Sequence, residues 1–217
     1  MNKNSDHIKI LILNYNDGNI GSIINACKLF SSKIRFSNKI KDLDWADKII
    51  LPGQGKYDSI MNNLDKNIEL KNKLVETVLE KKKSILGICA GMQIFSKVGF
   101  EENKTLGLDF FNGKVIKLNE NQKKNKNKIK IPHIGWATVE IKKKNKLFLN
   151  IKNNFDAYFL HGYYFEDLKQ GHVLASSKYG VKFPSIINKK NIYGTQFHPE
   201  KSLKNGLTLL KNFIELC

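Results

Sequence analysis

Residues 8–15 form a dense apolar run ending in polar positions, the pattern of a buried parallel strand entering a turn. Over 18–30, Ile20, Ile23, Ile24 and Leu29 recur at helical spacing and predict a helix. Residues 33–36 read as a second, short strand, and 46–51 as a third closed by Pro52 and Gly53. Ile68, Leu74, Val75, Val78 and Leu79 line one face of a helix that ends in three lysines at 81–83, where cations suit the negative end of the helix dipole. A fourth buried strand spans 84–88, and the pattern after Cys89 predicts a helix to about Val98. Strands and helices in alternation imply a parallel sheet covered on both faces.

The second half is richer in strands, at 114–118, 136–141, 157–160, 173–176, 183–187 and 192–197, with a closing helix at 203–216. Residues 120–130 are a polar low-complexity stretch, read as an exposed loop. No internal repeats are present. The pattern predicts one α/β domain over 1–217, with its core at about 8–216. Its architecture is a doubly wound, mostly parallel sheet with an antiparallel extension.

Composition adds bounds. At 217 residues, 41% hydrophobic and 26% charged, the chain suits one good-sized globular domain. No apolar run reaches the length of a signal peptide core or a membrane span, so a cytoplasmic protein without membrane partners is expected. Cys27, Cys89 and Cys217 are too few and too scattered for a metal site or a disulfide framework. Cys27 falls in a helical stretch and reads as a small core residue. The formal charge of +17 invites a nucleic-acid reading, carried here as an outside alternative. Against it, Arg35 is the only arginine, and the lysines travel with asparagine in segments that read as loops.

Two motifs carry chemistry. The segment Gly87-Ile88-Cys89-Ala90-Gly91 lies where a strand meets a helix, a turn that can lift a nucleophile above the sheet. A sulfur there faces the positive end of a helix dipole, and the Ala90 N–H would point at an oxyanion formed by attack. By itself this motif fits a buried structural cysteine equally well. The second motif, Gln196-Phe197-His198-Pro199-Glu200, follows the strand at 192–197 and so lies at the sheet edge where ligands gather. Proline keeps His198 extended, so that Glu200 can orient its imidazole. Together the two form a nucleophile, base and orienter.

With these residues in place the chain resembles the class I (triad) glutamine amidotransferases. Within them it is most similar to glutaminase subunits of imidazole glycerol phosphate synthase. Further matching segments are Tyr15 with Gly18-Asn19 and Ser22, residues 51–55, Met92-Gln93, Pro132-His133-Ile134-Gly135-Trp136, residues 159–164 and residues 194–202. The resemblance implies a Cys89, His198, Glu200 triad. It also implies oxyanion donors at Ala90 and Gln54, and glutamine-binding residues Gly53, Gly55, Gln93, His161, Gly162 and Tyr163. No cofactor and no metal is implied. Glutamine would be hydrolysed through a cysteinyl thioester and its ammonia passed to a separate cyclase (synthase) subunit in a heterodimer.

The chain departs from the family pattern at the first turn (Asn14 to Gly18) and at Gln54, Lys56, Tyr57, Ala137 and Gly162. None of these is a triad position. They leave a second reading open, a paralogous glutaminase feeding another synthase, for example one amidating a surface sugar.

Overall fold

The computed structural model describes residues 7–15, 20–120, 129–152 and 154–217. The first-turn positions 16–19 and most of the polar stretch, 121–128, lie outside the described residues. The first half runs β1 (Ile10–Leu13), α1 (Gly21–Lys28), β2 (Ile34–Ser37), α2 (Ile40–Trp45), β3 (Lys48–Leu51), α3 (Tyr57–Lys66), α4 (Ile68–Leu79), β4 (Ser84–Ile88) and α5 (Ala90–Gln93). There follow β5 (Ser96–Phe100), β6 (Lys104–Leu106), β7 (Phe111–Lys117), β8 (His133–Ile141), β9 (Phe155–His161) and β10 (Tyr163–Glu166). The chain closes with β11 (Val173–Tyr179), β12 (Val181–Lys189), β13 (Ile192–Thr195) and α6 (Leu203–Leu216).

Among the described residues, nine strands form one sheet in the order β2-β1-β3-β4-β13-β12-β11-β8-β9. From β2 to β13 every neighbouring pair is parallel. From β13 to β9 every pair is antiparallel, the extension expected from the strand-rich second half. Strand alternation divides the core in two. Ile10 and Ile12 pack with Ile23 and Cys27 of α1 and with Leu209 and Phe213 of α6. Leu11 and Leu13 point the other way, into a cluster with Leu43 of α2, Ile60 and Leu64 of α3, and Leu74 and Val78 of α4. Helices therefore cover both faces, as the β-α alternation requires.

One element is corrected. The helix expected from Cys89 to Val98 ends at Gln93, and β5 takes its place. The carbonyls that would continue the helix are taken from outside: Leu108 N–H donates to Ile94 O at 2.8 Å and Phe111 N–H to Phe95 O at 2.9 Å. Phe95 packs on Phe110 and Phe111, at ring separations of 5.4 and 6.4 Å. These contacts found a second sheet, ordered β10-β7-β5-β6, which the periodicity did not reveal.

Candidate active site

The parallel strands order as 2-1-3-4-5, and residues that follow the carboxyl ends of β3, β4 and β13 meet in the wall of one cavity. Cys89 follows β4 and adopts φ 53° and ψ −113°. Such a conformation costs a non-glycine residue about 1–3 kcal/mol and persists only where its surroundings impose it. Here the Cys89 N–H donates to Thr195 O at 2.7 Å, and the Cys89 carbonyl accepts from Met92 and Gln93 N–H at 3.0 and 3.1 Å. The turn also needs Gly87, where a β-carbon would stand 2.5 Å from Gly91 O.

His198 is fixed by its neighbours. Its N–H donates to Tyr158 O at 3.0 Å, and its carbonyl accepts from the Ser202 hydroxyl at 2.6 Å. The His198 backbone is extended, and Glu200 sits in the single 3-10 turn Pro199–Lys201 that follows. Nδ1–H of His198 meets Glu200 Oε1 at 2.9 Å, with both side chains buried. Burial opposes the imidazolium, but hydrogen bonds to Cys89 and Glu200 outweigh it and push the His198 pKa up to about 10. The carboxylate thus holds the far nitrogen of the ring in place.

A cavity of about 450 Å³ opens over the sulfur, within the size range of small-molecule sites. Gly53, Gln54, Gly55, Cys89, Ala90, Gln93, His161, Gly162, Tyr163 and His198 all line it, and Glu200 lies behind His198. Pro52 O accepts a hydrogen bond from the buried Tyr15 hydroxyl, which braces the loop carrying Gly53 to Gly55. Gln93 lines the cavity but keeps its amide inside the protein, donating to Tyr163 O at 2.8 Å and Gln196 Oε1 at 3.1 Å.

His161 donates from Nδ1 to Tyr163 O at 2.8 Å, and its Nε2 meets His133 Nδ1 at 3.2 Å. Burial, reinforced by the charges His133 and His198 can carry, outweighs the Tyr163 bond and lowers the His161 pKa to about 3. Burial lowers the His133 pKa as well.

The wall also contains Ser22 and Lys201, both within the matching segments but given no role there, and Glu101, which stands in none of them. Among the described residues Glu101 is the carboxylate that lines the cavity, and burial raises its pKa above the usual range. Its Oε2 accepts the Tyr57 N–H at 2.7 Å. Asp58 accepts N–H bonds from Glu102 and Asn103 at 3.1 and 3.2 Å, folding the Glu101 segment against α3. Two departures from the family pattern take part in this joint: Lys56 pairs with Glu102, and the Tyr57 hydroxyl bonds Ser96 Oγ at 2.9 Å. Among the described residues no His, Cys, Asp and Glu group could hold a metal ion, and no helix is long and apolar enough to cross a membrane.

Residues 11–216 match the family model described as Glutamine amidotransferase class-I. The chain is 40% identical to the imidazole glycerol phosphate synthase subunit HisH of Pelagibacter ubique (strain HTCC1062), over 96% of this chain and 100% of that protein. It is 42% identical to subunit HisH 1 of the same synthase from Campylobacter jejuni (strain RM1221), over 95% of this chain and 100% of that one. A solved glutamine amidotransferase shares the fold with a TM-score of 0.68 at 19% identity, over 95% of this chain and 97% of the other.

Proposed function

The chain belongs to the class-I glutamine amidotransferase family, and from that premise we propose that it is the glutaminase subunit of an imidazole glycerol phosphate synthase. It hydrolyses glutamine and supplies ammonia for histidine biosynthesis. The full-length identity to HisH subunits favours this pathway over a paralogous acceptor. The observation that carries the chemistry is that His198 shares the cavity wall with Cys89 while its Nδ1–H is held by the buried Glu200 carboxylate at 2.9 Å.

In the proposed reaction the Cys89 sulfur, as thiolate beside the His198 imidazolium, attacks the side-chain amide carbon of glutamine. Backbone N–H groups of Ala90 and Gln54 receive the oxyanion. Each such donor is typically worth about 3 kcal/mol, or roughly a hundredfold in rate. His198 Nε2–H protonates the departing nitrogen as the C–N bond breaks, giving ammonia and a glutamyl thioester. Neutral His198 then takes a proton from water, whose oxygen attacks the thioester. The C–S bond breaks, releasing glutamate and restoring the thiolate and the imidazolium. Glu101 supplies the carboxylate that suits the substrate's α-ammonium, and Gly53, Gly55, Gln93, His161, Gly162 and Tyr163 shape the remaining wall.

The synthase partner is proposed to dock on the edge of the antiparallel extension. Ile134 pairs with Leu160 and Trp136 with Tyr158 across β8 and β9. Ile134, Trp136 and Leu160 are 61%, 50% and 38% exposed, and Leu160 continues this apolar strip into the cavity. The test is glutamate release by the purified chain, with and without the cyclase subunit and its ribulosyl substrate. Strong activation by that pair is expected. Activation only by a different synthase would overturn the pathway, and full activity of the chain alone would overturn partner control.

A further inference from the structure

Gln196 is buried beside the nucleophile with its amide orientation fixed. The fixing begins at Tyr163 O, which can only accept, so Gln93 must turn its Nε2 toward it, at 2.8 Å. The other hydrogen of that nitrogen reaches Gln196 Oε1 at 3.1 Å. Gln196 must therefore present its own Nε2–H₂ on the opposite side, where it lies 3.7 Å from Cys89 Sγ. The backbone holds the residue equally firmly, through Gln196 N–H to Ser185 O at 2.9 Å. On another side of the sulfur, Leu160 O lies 3.4 Å away and suits a thiol that donates. The Gln196 N–H suits a thiolate that accepts.

Resting on the glutaminase reading above, we propose that Gln196 is a further catalytic residue, a neutral donor to the Cys89 sulfur that favours the thiolate and is aimed from Tyr163 through Gln93. The arrangement also explains a buried amide whose shape a hydrophobic side chain could have filled. A donor to a charged group is worth more than one between neutral groups, and its removal leaves the anion undersolvated.

The test is the rate of iodoacetamide alkylation of Cys89 against pH, followed by mass spectrometry of the Cys89 peptide, in wild type, Gln196→Met and Gln196→Glu. Methionine keeps the length and removes the donor. Glutamate keeps the acceptor for Gln93 and sets a carboxylate beside the sulfur. The pH midpoint of alkylation should rise by about one unit in Gln196→Met and further in Gln196→Glu. Glutamine turnover at neutral pH should fall about tenfold in Gln196→Met, with KM changed less than about twofold.

Midpoints that coincide in all three proteins, or a loss confined to KM, would overturn the role. A readout on the wild type needs no variant to fold: the Gln196 side-chain amide NMR signal should titrate with the same midpoint as alkylation. A signal indifferent to the state of Cys89 overturns the proposal. Wild-type enzyme that kept its glutaminase activity after Cys89 alkylation would overturn the parent reading, and this role with it. An enzyme silenced by alkylation but indifferent to residue 196 overturns the Gln196 role alone.

Discussion

Gly53 lies so close to the nucleophile turn that a β-carbon on it would stand 1.7 Å from the carbonyl oxygen of Ile88 and 2.5 Å from the Ala90 nitrogen. The loop after β3 and the turn after β4 are thus in backbone contact. Gly53→Ala must push one away from the other. Glutaminase activity is expected to fall by a hundredfold or more, the order of losing one oxyanion donor, with a lowered thermal midpoint. Steady-state glutamate release and a thermal melt check it, and near-normal turnover would contradict the packing argument.

Tyr15 and Pro52 make a milder test of the same loop. Tyr15→Phe removes the hydroxyl and leaves the Pro52 carbonyl without that donor in a buried place. A stability loss of about 1–3 kcal/mol is expected from chemical denaturation. The glutamine kcat should fall more than KM rises, since the loop is proposed to act on the oxyanion rather than on the bound substrate.

For His198 and Glu200 the expectation is hierarchy without additivity. His198→Ala should come close to abolishing turnover, because base and leaving-group acid are lost together. Glu200→Gln should cost less, since the imidazole stays but loses a charged partner at 2.9 Å. The double variant should be little worse than His198→Ala alone. Losses that multiplied would mean the two side chains act independently.

His161 and His198 give stability opposite pH dependences. His161 is neutral in the fold, with its pKa lowered from 6.5 to about 3, so the unfolded chain takes up the proton first. Its contribution is full above about pH 6.5 and is lost as the pH falls toward 3. His198 is raised from 6.5 to about 10, so its contribution is full below pH 6.5 and is lost as the pH rises through 10. Urea melts across pH should show His161→Asn flattening the acid limb and His198→Ala the alkaline limb. Unchanged limbs would contradict these assignments.

Much of this was legible in the chain because it rests on local pattern. The buried runs at β1, β3 and β4 and the periodic face of α6 identify themselves, and the predicted helix at 203–216 has the bounds of α6. The segment after Gln93 was not legible. Met92, Ile94, Phe95 and Val98 fit a helix, and only the distant partners Leu108 and Phe111 draw the chain into a strand. The helix α3 escaped the reading, although Tyr57, Ile60, Met61 and Leu64 recur at helical spacing. At the site, Cys89 and His198 stand in motifs whose order and spacing carry information. Glu101 stands in none: it reaches the cavity because Asp58 and Tyr57 hold its segment from the far side of the loop. Gln196 was visible as part of a motif, but its donor to sulfur depends on amide orientations that only the Tyr163 carbonyl determines.

Cys89 is proposed to be the nucleophile that releases ammonia for a partner to use. The most direct measurement compares glutamine-driven and ammonia-driven synthesis by the chain and its cyclase, in wild type and Cys89→Ala. Cys89→Ala is expected to abolish the glutamine-driven reaction while added ammonium salt still supports synthesis, with Cys27→Ala indistinguishable from wild type. Substantial glutamate release by purified Cys89→Ala would contradict this role.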